Sequence, residues 1–188
     1  MRTTISFLAI AFIISMSTSC DKVKDEINDA ASFEAKVDLP AQTIAIDSSQ
    51  FKSVSEMKAL HLFEVDVDLQ KILDDNGLSS ASFSQGAFQS VTVEIIAPEG
   101  LTYDFVKSMY VAVSMTGDFN DEVVVAQTGN IPSGSTSVTF QIEQVDITQF
   151  INEQHFWVGL FGDKTGPLPT SQVTLLLNSS VKFTVNPI

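Results

Sequence analysis

The chain has 188 residues, of which 44% are hydrophobic, and its formal net charge is −13. Its 10 Lys and Arg stand against 23 Asp and Glu, which argues against nucleic acid or an anionic lipid surface as a partner, because both require cationic side chains. Cys20 is the only cysteine, so an intramolecular disulfide and a zinc site built from several cysteines are excluded.

The first 20 residues have the layout of a secretion signal. Arg2 and the amino terminus form a short positive region, residues 5–14 are apolar, and residues 15–19 are small or polar. The apolar run is about half of the roughly 20 residues that a membrane-spanning helix needs, which favours a cleaved signal. We therefore expect residues 1–19 to be removed as a signal peptide.

The end of this segment, Ser17-Thr18-Ser19-Cys20, resembles the lipobox of bacterial lipoproteins. The resemblance implies that the Cys20 sulfur receives a diacylglyceryl group and that acyl chains such as palmitate anchor the protein to a membrane. Ser17 departs from the family pattern, which favours Leu or another aliphatic residue there. Because Ser17 and Ser19 also suit an ordinary small-x-small cleavage site, plain secretion is the alternative.

Residues 20–32 are predominantly polar and are predicted to form a solvated tether. Within them, Lys24-Asp25-Glu26 resembles the export signal that follows the cysteine of surface lipoproteins in Bacteroidota. The resemblance implies an outer-membrane protein displayed on the cell surface. The alternative is a plain tether that holds the domain on the periplasmic side.

From Phe33 onward the hydrophobic pattern indicates strands. Residues 33–39 alternate between apolar and polar up to Pro40, and residues 43–47 form a second short strand. The same alternation runs over residues 59–69. It leads into a predicted helix of about two turns, which Asp68 caps at its start and Gly77 ends.

The rest of the chain predicts short strands separated by turn residues. The predicted ranges are 88–97, 107–115, 123–127, 138–142, 156–161, and 173–177 with 181–185 as one strand or a pair, and a helical turn is predicted over 146–151. Short connections between short strands favour an antiparallel, all-β sandwich of about eight or nine strands with one or two short helices, formed by residues 33–188. This layout resembles small Bacteroidota lipoproteins that carry one immunoglobulin-like or jelly-roll sandwich, which implies a location and a fold class but no activity.

Two acidic groups are candidates for chemistry. Asp118-Phe119-Asn120-Asp121-Glu122 offers the oxygen ligands that calcium prefers, but it lacks the glycine and the distant glutamate of an EF-hand, so a solvated turn is the favoured interpretation and calcium binding stays open. Asp66 and Asp68 could bind a metal or act as acid and base, but the solvent face of an edge strand is the favoured interpretation.

Neither histidine has the sequence context of a catalytic site. His61 is in register with Phe63 and is interpreted as a hydrogen-bonded core residue, and His155 is placed at a strand start. Trp157 is interpreted as a core residue of the sandwich, with ligand contact as the alternative. Residues 162–166 contain a Lys-Thr pair without the spacing of a phosphate loop and are interpreted as a turn.

Together these observations predict a non-catalytic binding or assembly module of the cell envelope, anchored through Cys20. We predict no catalytic residues, no metal site and no cofactor. The expected partners are the membrane, through the lipid, and an envelope protein or glycan held by loops or by an edge strand. The alternatives are a structural spacer or accessory subunit without a ligand, and a hydrolase.

Overall fold

The structure is a computed structural model that describes residues 32–48 and 58–188. The predicted signal peptide (1–19), Cys20, Lys24-Asp25-Glu26 and all of the tether except Ser32 lie outside the described residues. Within the described part, ten strands form two antiparallel sheets, which confirms the predicted all-β sandwich and adds one strand to the upper predicted number.

The elements follow one another along the chain with short connections. In order they are β1 (Phe33–Asp38), β2 (Gln42–Asp47), β3 (Lys58–Asp66), α1 (Leu69–Asp75), β4 (Ala81–Ala97), a 3₁₀ turn (Tyr103–Phe105), β5 (Val106–Ser114), β6 (Val123–Gln127), β7 (Ser137–Thr139), β8 (Gln141–Ile142), α2 (Thr148–Glu153), β9 (His155–Lys164) and β10 (Gln172–Pro187). Every strand pair is antiparallel.

The first sheet is built around β10. Its strand order is β1-β10-β4-β7, and β2 lies beside β10 on the same side as β1. Phe33 pairs with Val185 near one end of β10, and Ile44 pairs with Leu175 near the other. The two segments predicted near the carboxyl terminus are therefore one continuous strand of 16 residues.

The second sheet has the order β3-β9-β5-β6-β8, so β3 is the edge strand that its charged face predicted. A register shift between Ala59 and His61 interrupts the predicted alternation. Leu60 is buried as a result, whereas Ala59 is exposed. A bulge of this kind places two successive residues on one face, and sequence alternation alone does not reveal it.

The core lies between the two sheets and is apolar. It draws on alternating positions of the long strands, whose best buried members include Ile44, Val65, Val91, Val93, Val111, Val113, Phe156, Leu160, Leu175, Leu177 and Phe183. Each of these is at most 2% exposed. Because alternate side chains of a strand point to opposite faces, the period-two pattern of the sequence is what assembles this core.

Two strands depart from the predicted ranges. β4 begins at Ala81 rather than residue 88, because pairing with β10 extends through a Ser-rich, Gly-containing stretch without a strand pattern. The predicted strand over 138–142 is split, since Val138 pairs with Val93 in the first sheet and Gln141 pairs with Gln127 in the second. The chain crosses between the sheets at buried Phe140.

Both predicted helical segments form. Asp68 caps α1, because its Oδ1 accepts a hydrogen bond of 2.8 Å from the Lys71 amide, and Gly77 has the left-handed φ of +65°. α2 packs against β4 at Gly86, where a Cβ atom would lie 2.6 Å from Ile151 Cδ1. None of the helices in the described part of the chain has the length and apolarity to span a membrane.

Candidate functional site

Three loops meet at Asp104, in the 3₁₀ turn between β4 and β5. Asp104 Oδ2 accepts a hydrogen bond of 2.8 Å from Thr102 Oγ1, and Oδ1 accepts bonds from Ser133 Oγ at 2.8 Å and Gly134 N at 3.0 Å. Its backbone oxygen accepts a bond of 2.8 Å from Thr165 Oγ1. One exposed residue therefore ties together the β4–β5, β6–β7 and β9–β10 loops.

Hydrogen bonding controls the charge state of Asp104. The bonds from Thr102, Gly134 and Ser133, with that from Thr102 the largest effect, lower the pKa of its carboxyl. These donors stabilise the ionised form, so the carboxylate carries its full negative charge at neutral pH.

Two clefts lie beside Asp104, and both of them are lined by Asp104 and Thr165. One, named here the polar cleft because it contains Lys107 and Asn130, has a volume of about 410 Å³ and is also lined by Ser133, Val106 and Ile131. The other, named the apolar cleft for Leu101, Phe105, Pro167 and Pro169, has a volume of about 330 Å³ and also includes Thr102. Apolar atoms make up more than half of the lining of both clefts. We call the two together the loop-end groove.

The polar cleft contains hydrogen-bonding groups of several kinds. The Asn130 amide makes no hydrogen bond to any other residue in 32–48 or 58–188, and Lys107 Nζ lies 3.3 Å from Asp163 Oδ2. Tyr103 is buried behind this cleft, and within the described chain its hydroxyl has no hydrogen-bond partner. Burial, and to a lesser extent the negative charge of Glu94, raises the pKa of this hydroxyl, so Tyr103 stays neutral.

A second distinctive region is the outer face of the second sheet, which carries an aromatic cluster of Tyr110, Phe119, Trp157 and Phe161. The rings of Tyr110 and Phe161 stack with centroids 4.7 Å apart, and Phe119 meets Phe161 edge-on at 5.4 Å. Phe161 is only 9% exposed although it does not belong to the core between the sheets. These rings thus form a small apolar cluster of their own.

The loop over residues 115–122 folds back onto this outer face. Phe119 lies over Gly159, where a Cβ atom would be 2.9 Å from its ring, and Trp157 lies against Gly117. Asp121 accepts a short hydrogen bond from Ser114 Oγ, and Asp118 accepts bonds of 2.6 Å from Thr116 Oγ1 and 2.5 Å from Asn120 Nδ2. These bonds lower the pKa of both carboxyls.

The structure places residues 118–122 in a turn, as the sequence predicts. The oxygens of Asp118 and Asp121 are engaged by donors of the loop itself, which is how short polar side chains stabilise turns. No group of three or more His, Cys, Asp or Glu suited to hold a metal ion occurs within residues 32–48 and 58–188.

The two histidines lie on different faces of the second sheet. His61 is partly buried and stacks on Phe63 with centroids 5.7 Å apart, and burial lowers its pKa. His155 is exposed and pairs with Asp66 across β3 and β9, at 2.8 Å between Nδ1 and Oδ1. The hydrogen bond from this pairing raises the pKa of His155. Asp66 and Asp68 do not share a strand face, because β3 ends at Asp66 and Asp68 caps α1.

Two interpretations of the sequence were wrong in this region. Trp157 is half-buried on the outer face of the second sheet and lies outside the core. Its position follows from pairing opposite Glu64 and Ser114 on neighbouring strands. The predicted turn over residues 162–166 begins only after Lys164, since β9 continues through that residue.

Sequence reasoning missed Asp104, Tyr103 and Asn130. Each lies in or beside a loop, where no periodic pattern marks a side chain as buried or as part of a site. The available signal was indirect: turn residues at 98–100, 129–134 and 162–169 mark three loops, but only the strand order shows that these loops meet at one end of the sandwich.

No family model and no curated protein matches this chain. Among solved structures it is similar to the infectious bursal disease virus VP2 subviral particle, at 14% sequence identity and a TM-score of 0.33. That match covers 96% of this chain and 38% of the viral chain, so the protein spans well under half the length of this relative.

Proposed function

We propose that the protein is a lipid-anchored, non-catalytic binding module of the bacterial outer membrane, on the surface or the periplasmic face. The observation that carries the binding role is the loop-end groove, where three loops are held together by Asp104. Loops positioned by a rigid sheet scaffold are the usual place for a binding site in a sandwich.

The direction of the chain supports this role. Phe33, the first residue of β1, pairs with Val185, whereas Ala97, next to the loops of the groove, pairs with Thr174. The stretch of β10 between these two pairs covers roughly 35 Å at about 3.3 Å per residue. A tether that enters at Phe33 from a lipidated Cys20 therefore joins the sandwich at the end opposite the groove, so the point of attachment does not cover the groove.

The physical chemistry of the anchor supports attachment without a spanning helix. One acyl chain binds a membrane marginally, and two or more bind it stably, at about 0.8 kcal/mol per buried methylene. A diacylglyceryl group on Cys20 meets this requirement. The acidic domain itself has little electrostatic affinity for anionic lipid, so attachment depends on the lipid alone.

The proposal assigns no reaction to the groove. Its polar lining groups in the described chain are an amide, an ammonium group, hydroxyls and a carboxylate that already accepts three hydrogen bonds. The hydroxyls of Thr102 and Ser133 donate to Asp104, but hydrogen bonding lowers the pKa of this carboxyl and makes it a weak base for activating either hydroxyl. The alternative functions are a spacer without a ligand and a hydrolase.

Anchoring and orientation are tested by protease shaving of intact cells that express the protein, beside a Cys20→Ala variant. We expect the native protein in the membrane pellet and the variant in the soluble fraction. Shaving of intact cells removes the domain if it is on the surface, and only permeabilised cells lose it if it is periplasmic. Equal fractionation of the two proteins contradicts the anchor.

Binding is tested by photo-crosslinking in intact cells, with p-benzoylphenylalanine placed at Ile131 in the polar cleft or at exposed Asn178 on β10 as the control. We expect adducts of defined mass at Ile131 and none of the same mass at Asn178. No adduct at Ile131, or the same pattern at both positions, contradicts a ligand in the groove and favours the spacer.

A further inference from the structure

We propose that the loop-end groove binds a neutral oligosaccharide that runs from the polar cleft, past Asp104 and Thr165, into the apolar cleft. This inference rests on the proposed binding function and names its ligand class. Its basis is the shape of the groove, the type of polar group along it, the apolar surfaces beside them and the charge of the protein.

The shape favours a chain-like ligand. The clefts have volumes of about 410 Å³ and 330 Å³, each within the usual range of small-ligand sites, and they meet at Asp104 and Thr165. A single compact ligand would fill one of them and leave the other empty. A ligand of linked units of similar size places successive units on both sides of Asp104.

The polar groups suit hydroxyl-bearing units. The Asn130 amide both donates and accepts, as does each hydroxyl of a sugar, and it has no competing partner within the described residues. Lys107 adds donors and the Ser133 hydroxyl adds both functions. The Asp104 carboxylate has lone pairs beyond the three that Thr102, Ser133 and Gly134 occupy, so it can accept from one more hydroxyl at the junction.

The apolar lining suits the other side of a sugar ring. Val106 and Ile131 in the polar cleft, and Leu101, Pro167 and Pro169 in the apolar cleft, present C–H surfaces next to polar groups. A pyranose ring offers the matching combination of C–H faces and a rim of hydroxyls. Burial of those faces against the apolar lining favours binding, because it removes apolar surface from water.

The charge balance selects neutral over anionic glycans. The groove contains one lysine, whose ammonium group is 3.3 Å from Asp163, and Asp104 stays ionised. The whole chain has a net charge of −13 and no arginine beyond position 2. A uronate, sulfate or phosphate group would therefore meet repulsion without a bidentate cationic partner.

A peptide is a less suitable occupant. Peptides that bind sheet proteins gain main-chain hydrogen bonds by adding to a free strand edge. The strand that follows the Asn130 loop is β7, which has only three residues, and the described groove is lined mostly by loop side chains, with Val106 and Lys107 from the start of β5. Side-chain recognition of hydroxyls fits this lining better than strand addition.

The test is isothermal titration calorimetry of the full-length, detergent-solubilised protein with neutral hexasaccharides of glucose, mannose, xylose and galactose. Oligouronates and a proline-rich peptide serve as competing ligand classes. The variant Asn130→Ala removes the unpaired amide, and Asn178→Ala is a matched control far from the groove. Melting curves confirm that both variants are folded.

We expect saturable binding of at least one neutral hexasaccharide, weakened about threefold to tenfold by Asn130→Ala, roughly the net effect of one hydrogen bond from an exposed amide, and unchanged by Asn178→Ala. Binding of only oligouronate or peptide overturns the neutral-glycan inference. So does neutral binding that survives Asn130→Ala but is lost in Tyr110→Ala. Failure of every neutral sugar, with the Ile131 crosslink intact, overturns the inference while the proposed binding function stands.

Discussion

At the scale of single residues, Gly159 is the position on which the outer aromatic cluster most depends. A Cβ atom there would lie 2.5 Å from Phe161 Cε2 and 2.9 Å from the Phe119 ring. We expect Gly159→Ala to lower the free energy of unfolding by about 1–3 kcal/mol, because overpacking forces side chains from their preferred rotamers.

Urea unfolding measures the free energy of unfolding of the wild type and the variant. Gly129→Ala, where nothing lies within 4 Å, is the control and should change it by less than about 0.5 kcal/mol; equal effects contradict the packing argument.

The two histidines are expected to titrate on opposite sides of the ordinary value of 6.5. The hydrogen bond to Asp66 raises the pKa of His155, so this contact stabilises the fold below that value and its contribution disappears as the pH rises through the raised pKa. Burial lowers the pKa of His61. NMR titration of the imidazole protons measures both values.

The variant Asp66→Asn tests whether the hydrogen bond to Asp66 causes the raised pKa of His155. It should return the pKa of His155 toward 6.5 and leave that of His61 unchanged, whereas Asp38→Asn on β1 should alter neither. If the pKa of His155 is the same in Asp66→Asn as in the wild type, the assigned hydrogen bond between Asp66 and His155 is contradicted.

Single residues also mark where sequence reasoning succeeds and where it stops. Asp68 and Gly77 were predicted as the two ends of a helix, because caps depend on a few neighbouring residues. Trp157 was misplaced, because its strand is apolar at nearly every position and only the pairing of β9 with β3 and β5 decides which face each side chain occupies.

At the scale of elements, Asp104 joins three loops through bonds from Thr102, Ser133, Gly134 and Thr165. Hydrogen bonds lower the pKa of its carboxyl, so its contribution to stability is present above the ordinary value of 3.8 and is lost as the pH falls through the lowered pKa. We expect Asp104→Ala to reduce the loss of stability as the pH falls below 3.8, and to speed exchange of the Gly134 amide hydrogen.

The measurements are urea unfolding as a function of pH and amide hydrogen exchange by NMR. Glu99→Gln, in the exposed turn of the same β4–β5 connection, is the matched control. An acid dependence of stability that is the same in wild type and Asp104→Ala would show that the carboxylate does not hold the loops.

The contact between α2 and β4 provides a second prediction at the scale of elements. Ile151 is fully buried where α2 packs on Gly86. We expect Ile151→Val to lower the free energy of unfolding by about 0.5–1.5 kcal/mol and Ile151→Ala by about 2–5 kcal/mol, because the second leaves the larger cavity. Thermal unfolding of the wild type, Ile151→Val and Ile151→Ala measures these losses of stability. Losses that do not grow with the volume removed contradict tight packing at this contact.

Strands could be predicted from the sequence where one face is buried and the other is exposed to solvent. β1, β2 and β6 follow from alternation or from short β-branched runs, with boundaries within one or two residues. The first seven residues of β4 were not predicted, because their strand form is imposed by pairing with β10 and not by their own pattern. The split of residues 138–142 into β7 and β8 was not predicted either. Phe140 is buried where the chain crosses between the sheets, so its apolar character fits one continuous strand as well as two short ones.

At the scale of the whole molecule, the two ends of the sandwich differ in structure. The amino-terminal strand enters near Val185, and the loop-end groove lies beyond Thr174 at the other end of β10. The fold class could be predicted from the number and spacing of strands. The groove could not, because it depends on strand order and on which loops this order brings together.

The central proposal is that one lipidated cysteine, Cys20, anchors an acidic sandwich to a membrane. Mass spectrometry of the native protein's amino-terminal peptide tests it most directly. We predict a chain that begins at Cys20 and carries a diacylglyceryl thioether on its sulfur, with acyl chains such as palmitate. A free Cys20 thiol on the mature protein, or residues 1–19 still attached, would contradict it.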